Sequence, residues 1–346
     1  MKAITAAQRV ARSALVALVA ITTLGLAVGE AAPELPGEGK TVTPGVGSWT
    51  SALPSSWVFV ELLEELGYHV RPPRLFPSNP IAYLSIAFGE TDYWPSGAFP
   101  LHEAHLPDDW EEQGTVFEPF CAGCGVQGYL VDISSVEEFD ITSLDDFRRE
   151  EVRRAFDATG DGKADLFGCP PGWGCHETIE DTLDAFDLRG DINHVAVEYT
   201  AAFADVLGRF GAGEPTLYYT WAPSAWILAL EPGHDVLWIN APGILESDEE
   251  IAQGLEGTVT DPIRMGFIAD DMAVAANIEF VTAKPAAEEL FRQVRLPLEW
   301  ISEVDARIAE ERLEDEEVRQ LARDWIDDNR ELVDSWLAAA RAAAER

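Results

Sequence analysis

Lysine is nearly missing from this chain. Lys2, Lys40, Lys163 and Lys284 are the four in 346 residues, and all 24 basic side chains face 62 acidic ones, for a formal net charge of -38. That balance excludes nucleic acid as a partner, because phosphate binding needs a basic surface. The acidic residues are spread along the chain rather than gathered in a tail, and an aromatic content of 10% is too high for a disordered polymer. A lysine-poor acidic surface suits high salt, where screening suppresses self-repulsion. Catalytic signatures are missing as well: no G-x-S-x-G elbow, H-E-x-x-H pair, Walker loop or dinucleotide fingerprint occurs. Carboxylate pairs carry no information in so acidic a chain, and the protein is expected not to be an enzyme.

Four cysteines are too few for a disulfide scaffold, so their role depends on where the chain goes. Lys2, Arg9 and Arg12 form a positive region, residues 14–28 are almost wholly apolar, and the small residues Ala27, Gly29, Ala31 and Ala32 follow. This is the layout of a secretory signal peptide over residues 1–32, cleaved after Gly29 or Ala32. The apolar run is short of the roughly 20 residues that a spanning helix needs, and no second run follows. An exported, extracytoplasmic chain meets an oxidising compartment. Cys169 and Cys175, in GCPPGWGC (168–175), therefore read as a short disulfide. For Cys121 and Cys124, in FCAGCGVQG, a second small disulfide is favoured over a metal half-site or a redox pair. Zinc lacks further ligands nearby, and Gly123, Gly125 and Gly128 point to a loop rather than to the helix start of a redox motif.

Without the signal, roughly 315 residues remain, enough for two ordinary domains or one large α/β unit. Strand-like segments (KTVTPGVGSW, HVRPPRLF, GETDYWPSG) alternate with helical spacing over SSWVFVELLEELGYHV and residues 78–88. A second run follows, with QGYLVD, TLYYTWAP and HDVLWINAP as strands and helices at 178–187, 198–210 and after Ser224. Such alternation predicts doubly wound α/β lobes. From Pro285 onward the chain turns helical, without a sustained heptad, as a packing layer. Two lobes imply a cleft between them, a preferred place for a small ligand.

Two constellations stand out. In DATGDGKAD, Asp157, Thr159, Asp161, the Lys163 carbonyl and Asp165 occupy positions 1, 3, 5, 7 and 9 of an EF-hand-like loop, with Gly162 at the turn. Position 12 is Gly168 instead of glutamate, so a structural Ca²⁺ competes with a metal-free Asp/Gly turn. No other cofactor is implied. The second constellation is aromatic: Trp173 inside the cysteine loop, Trp221 after a strand, and Trp94 in DYWPSGAFPLHEAH. With eleven tryptophans most must be core, yet Trp173 and Trp221 adjoin proline or glycine at strand ends, where side chains project into a cleft. Aromatic faces suit a cation without N–H groups, and cation–π attraction contributes about 2 kcal/mol when desolvated.

The chain resembles the ProX-type periplasmic glycine betaine and proline betaine binding proteins, OpuAC-like substrate-binding subunits of ABC importers. ELGY, FPLH, QGYLVD, DGKADL, GCPPGWGC, YYTWAP and DVLW occur in family order through nearly the whole mature chain. The resemblance implies a type II periplasmic binding-protein fold, two α/β lobes joined by a hinge. Lobe 1 would span 40–127 and 269–346, and lobe 2 would span 128–268. It implies that Trp173 and Trp221 wall a trimethylammonium box, that His102 binds the ligand carboxylate, and that the Gly174 and Cys175 amides assist. Consecutive amides do make an anion-binding concavity. Where the family carries a box tryptophan this chain has Ala98, so Trp94, Phe99 or Trp49 would replace that wall or the pocket would be larger. The implied partners are a small zwitterionic osmolyte and a membrane permease, with the protein a monomer. A different osmolyte (proline betaine, choline, proline or a sulfonium analogue), a calcium-stabilised secreted hydrolase and a module reporting to a sensor are the alternatives.

Overall fold

The helix expected from the spacing of Trp57, Val60, Leu62, Leu63 and Leu66 runs Leu53–Glu65 in the computed structural model, which describes residues 35–242 and 251–346. The expected signal peptide lies outside the described residues. Pro54 sits in the first turn, where its missing N–H has no intrahelical acceptor to lose. Gly67, with φ +91°, follows the helix as its left-handed stop. Val58, Phe59, Leu62 and Leu63 are all fully buried, so the helix is apolar around most of its circumference and becomes the centre of a core.

The C-terminal helices supply the other half of that core. Pro285–Gln293, Leu298–Glu311, Asp315–Asp328 and Arg330–Ala344 bring in Phe291, Ile301, Val318, Trp325, Val333 and Leu337. Their edges are tied to the first helix by Arg319 to Glu61 and Glu64, and by Arg330 to Glu65. A separate core is built from residues 129–267, including Tyr129, Leu166, Ile179, Phe203, Tyr218 and Trp238. Its sheet has the order Val236–Ile239, Cys121–Asp132, Leu217–Ala222, Ala164–Phe167, Ile192–Val195. The last three strands are parallel, and Cys121–Asp132 is antiparallel to both of its neighbours.

Two strands connect the cores. Cys121–Asp132 begins beside Asp270–Asn277, which also pairs with Tyr93–Phe99, and from Val126 onward it pairs with Leu217–Ala222 instead. Gly125 stands opposite Asp270 at the crossing, where an added Cβ would lie 2.7 Å from the Asp270 Cβ. Only a glycine lets the backbones approach that closely.

The loop expected at Cys121 to Gly128 is instead the first part of this 12-residue strand. Cys121 pairs with Met272 and Gly125 with Asp270, so the cysteine segment carries two extra residues as a bulge. Gly123, with φ +60°, supplies the left-handed turn within it, and Cys121 and Cys124 are joined as a disulfide. The glycines that suggested a loop thus serve a bulge and a close crossing.

Among the described residues no helix is long and apolar enough to cross a membrane. Trp325, buried between Trp300 and Trp336 at ring separations of 5.2 and 6.3 Å, tests how far the C-terminal layer supports the first core. Trp325→Ala is expected to lower unfolding free energy in urea by about 3–5 kcal/mol, whereas neutralising the exposed Glu316 should change it by less than about 1 kcal/mol.

Candidate functional site

The cysteine loop is positioned from both sides. Strand Ala164–Phe167 leads into it and helix Gly174–Ala185 leads out, with Trp173 in extended conformation at the helix N-cap. The Cys169–Cys175 disulfide closes the loop, with Cα atoms 5.9 Å apart. Gly172, at φ +88°, makes the turn that a residue with Cβ would resist. Its carbonyl accepts the Asn79 amide at 3.0 Å, which docks the loop onto the helix Asn79–Ala87. Gly174 and Cys175 are therefore the first two residues of a helix, where N–H groups lack intrahelical acceptors and the dipole favours an anion. Leu101 of the FPLH segment lies against Gly174 so closely that an added Cβ would be 2.6 Å from its Cγ.

A cavity open to solvent lies where these elements meet. Trp49, Trp173, Trp221, His102, Gly174, Cys175 and Ala98 all line it. Trp173 packs edge-to-face on Trp49 at 5.4 Å and on Trp221 at 5.7 Å, so three indoles surround one end. Tyr199 braces two of them, stacked on Trp173 at 6.0 Å and edge-on to Trp221 at 4.8 Å. Trp49 folds over Gly47, whose missing side chain makes room for the ring.

The other two residues considered for the wall at Ala98 lie elsewhere. Trp94 is fully buried, stacked against His102 at 5.9 Å behind the cavity. Phe99 packs on Tyr83 and His102 and does not line the cavity. The strand Tyr93–Phe99 explains the difference: its pairing with Asp270–Asn277 slips by one residue between Trp94 and Gly97, so Trp94 and Phe99 both fall on the face that packs on Tyr83 of the helix Asn79–Ala87, away from Ala98.

His102 is buried and engaged at both nitrogens. Its Nδ1 accepts the Ala98 amide at 3.2 Å and lies 2.9 Å from the Tyr83 hydroxyl, while its Nε2 is 2.8 Å from the Asn79 side-chain amide. An amide N–H only donates, so Nδ1 is the unprotonated nitrogen and the proton sits on Nε2. That proton needs an acceptor, and turning the Asn79 amide to present its otherwise unpaired oxygen satisfies both groups. Burial, reinforced by His105, pushes the His102 pKa down to about 3, so the ring is a neutral donor at physiological pH.

Several lining residues carried no sequence signal. Asp270 is buried on the cavity wall at the strand crossing, accepting from the Leu101 amide at 3.3 Å and from Gln127, which in turn accepts the Tyr219 hydroxyl. Burial raises its pKa to about 7 against those hydrogen bonds. Asn79, Ser51, Gln127 and Tyr219 also line the cavity. Gln127 and Tyr219 stand in QGYLVD and YYTWAP, but nothing local marks any of the four as a lining residue, because segments far apart in the chain bring them together.

The carboxylates of the expected calcium loop accept hydrogen bonds from neighbouring amides and a hydroxyl. Asp157 accepts the amides of Gly160, Asp161 and Gly162, Asp161 accepts that of Lys163, and Asp165 accepts from Thr159 and Asn193. Their oxygens turn toward N–H donors of the loop, and these carboxylates form no cluster at coordinating distances among the described residues.

Residues 40–328 match the family model OpuAC, the substrate-binding domain of ABC-type glycine betaine transport systems. The chain belongs to the OpuAC family. A glycine betaine-binding periplasmic protein of Dickeya dadantii is 33% identical over 96% of this chain and 98% of its own length. The glycine betaine/proline betaine-binding periplasmic protein of Escherichia coli is 30% identical over 90% and 93%. Among solved structures, the lactococcal OpuAC protein in its closed form with glycine betaine covers 86% of this chain and 99% of its own, at TM-score 0.64 and 17% identity. A choline-binding protein of an ABC transporter gives TM-score 0.66 at 16% identity, over 88% and 96%. These likenesses establish the type II periplasmic binding-protein fold, and OpuAC proteins are binding subunits rather than enzymes.

Two expected outcomes follow from the site. Asp270 holds its proton more tightly folded than unfolded, so its contribution to stability is complete below about pH 4 and is lost as pH rises through about 7. Asp305, raised by burial to about 6, adds the same sign over a window ending lower. Thermal unfolding followed from pH 5 to pH 8 should therefore show a fall in Tm that is smaller in Asp270→Asn. Millimolar calcium should raise Tm no more than magnesium does, since the 157–165 carboxylates are bound to amides.

Proposed function

We propose that this protein is the exported substrate-binding subunit of an ABC importer, taking glycine betaine or a similar quaternary-ammonium osmolyte. The observation that carries this reading is the adjacency of two unlike recognition surfaces on one short segment. Trp173 presents an indole face, and the next two residues present free amides at a helix start. A trimethylammonium group has no N–H to donate, so aromatic faces hold it, at about 2 kcal/mol when desolvated. A carboxylate meets the helix N-terminus.

In this reading Trp49, Trp173 and Trp221 wall the cation, with Trp49 standing in at Ala98. The His102 Nε2 proton and the amides of Gly174 and Cys175 take the carboxylate, with Asn79 giving way to it. Lobe 1 (40–127 and 269–346) and lobe 2 (128–268) close about the Gly125–Asp270 crossing. The partner is a membrane permease, the protein acts as a monomer outside the cytoplasm, and binding needs no cofactor. Relatives named as periplasmic glycine betaine and proline betaine binders support the ligand class and the location.

Choline is the second reading, favoured by Asp270, since a carboxylate on the cavity wall attracts a cation that brings no carboxylate of its own. Calorimetric titration with glycine betaine, proline betaine, choline and proline separates the two. Glycine betaine is expected to bind one-to-one and more tightly than choline at pH 6, where Asp270 is mostly protonated. Trp173→Ala and Trp49→Ala should each weaken it at least tenfold, about 1.4 kcal/mol or more. Unchanged affinity in Trp173→Ala would overturn the aromatic box.

A further inference from the structure

Beside the cysteine loop, three residues outside the cavity come together. His176 and Glu180 are one turn apart on the helix Gly174–Ala185, and His194 lies on the strand Ile192–Val195. One ligand atom from each lies within 4.8 Å of the other two, and the imidazole centroids are 5.2 Å apart.

Their hydrogen bonds determine which atoms are available. His176 Nδ1 faces the Cys169 carbonyl at 3.2 Å, so it carries the proton and Nε2 keeps a lone pair. A backbone carbonyl behind one ring nitrogen is the arrangement that orients metal-bound histidines. His194 Nδ1 faces Glu180 Oε1 at 2.6 Å, while Arg189 holds the other carboxylate oxygen at 2.6 Å. The His194 side chain is only 2% exposed, and its Nε2, packed against Gly168, has no hydrogen-bond partner. A metal would take His194 through Nδ1, the nitrogen that faces Glu180, and would displace the proton those two share. An ion pair with Glu180 alone does not account for the second imidazole set beside it.

We propose that His176, Glu180 and His194 form a binding site for a divalent transition metal of the zinc class, with water completing the coordination. Two imidazoles and one carboxylate are the donor set of zinc-type ions, whereas calcium and magnesium take oxygen ligands. The metal would fasten the first turns of the helix to the neighbouring strand, directly behind Trp173, Gly174 and Cys175. It would therefore stiffen the loop on which the proposed ligand reading rests, without touching that ligand.

The test uses untagged full-length mature protein, with zinc chloride as probe and magnesium and calcium chlorides as controls, in high salt because the acidic surface collects cations. Calorimetry should give one zinc per chain, and zinc but not magnesium should raise Tm. His176→Asn should weaken zinc binding at least tenfold while leaving the far-ultraviolet circular dichroism unchanged. Should that variant not fold, Glu180→Gln is the second, with the same loss expected. Absence of saturable one-to-one zinc binding, or equal binding in the folded variant, overturns the site. Glycine betaine titration of the zinc-free protein is read separately, so failure of the metal site leaves the ligand reading standing, and the reverse.

Discussion

The cleft depends on where one helix starts. Gly174–Ala185 begins immediately after Trp173, and every nearby constraint acts on that start. The Cys169–Cys175 disulfide shortens the approach, Gly172 turns the chain, and the Asn79 amide ties the loop to the opposite wall. Leu101 rests on Gly174, where any side chain would collide. A loop held this firmly loses little conformational freedom when a ligand arrives, so more of the interaction energy remains as affinity. The same rigidity keeps the indole of Trp173 and the two amides at a constant separation, which suits a ligand whose opposite charges are a few atoms apart.

The cavity's electrostatics contrast with those of the surface. The molecule is strongly acidic, yet the titratable groups lining the cavity are a histidine kept neutral by burial, a buried tyrosine and an aspartate whose pKa is raised to about 7. In the proposed reading, recognition there relies on aromatic faces, amide dipoles and neutral donors rather than on opposing ions. A zwitterion fits such a place because neither end demands a counter-charge that burial would make costly.

The crossing of the two connecting strands joins the ligand cavity to the architecture. Asp270 accepts from the Leu101 amide and from Gln127 on the long strand Cys121–Asp132, and Gln127 is bonded to Tyr219 two residues before Trp221. Leu101, Gln127, Tyr219 and Asp270 also line the cavity.

Much of this was legible in the residue order. The helix at Leu53–Glu65, the strands at Leu217–Ala222 and Val236–Ile239 and the helix after Glu198 follow from local spacing, because periodicity and turn residues act over a few positions. The loop around Trp173 was legible too, since disulfide, prolines and glycines lie within eight residues. Three things required the tertiary structure. The Cys121 segment joins a strand because a partner strand, remote in sequence, accepts a two-residue bulge. Trp49, rather than Trp94 or Phe99, reaches the cavity because a neighbouring helix covers Trp94 and Gly47 leaves room for Trp49. Asp270 became part of the cavity through burial at a crossing, and burial is a property of all the surrounding chain. The sequence by itself determined the family, the lobes' local elements and the composition of the loop. Only the fold decided which indole lies beside Trp173 and which carboxylate lines the cavity, because Trp49 meets Trp173 and Asp270 meets Gly125 across more than a hundred residues of chain.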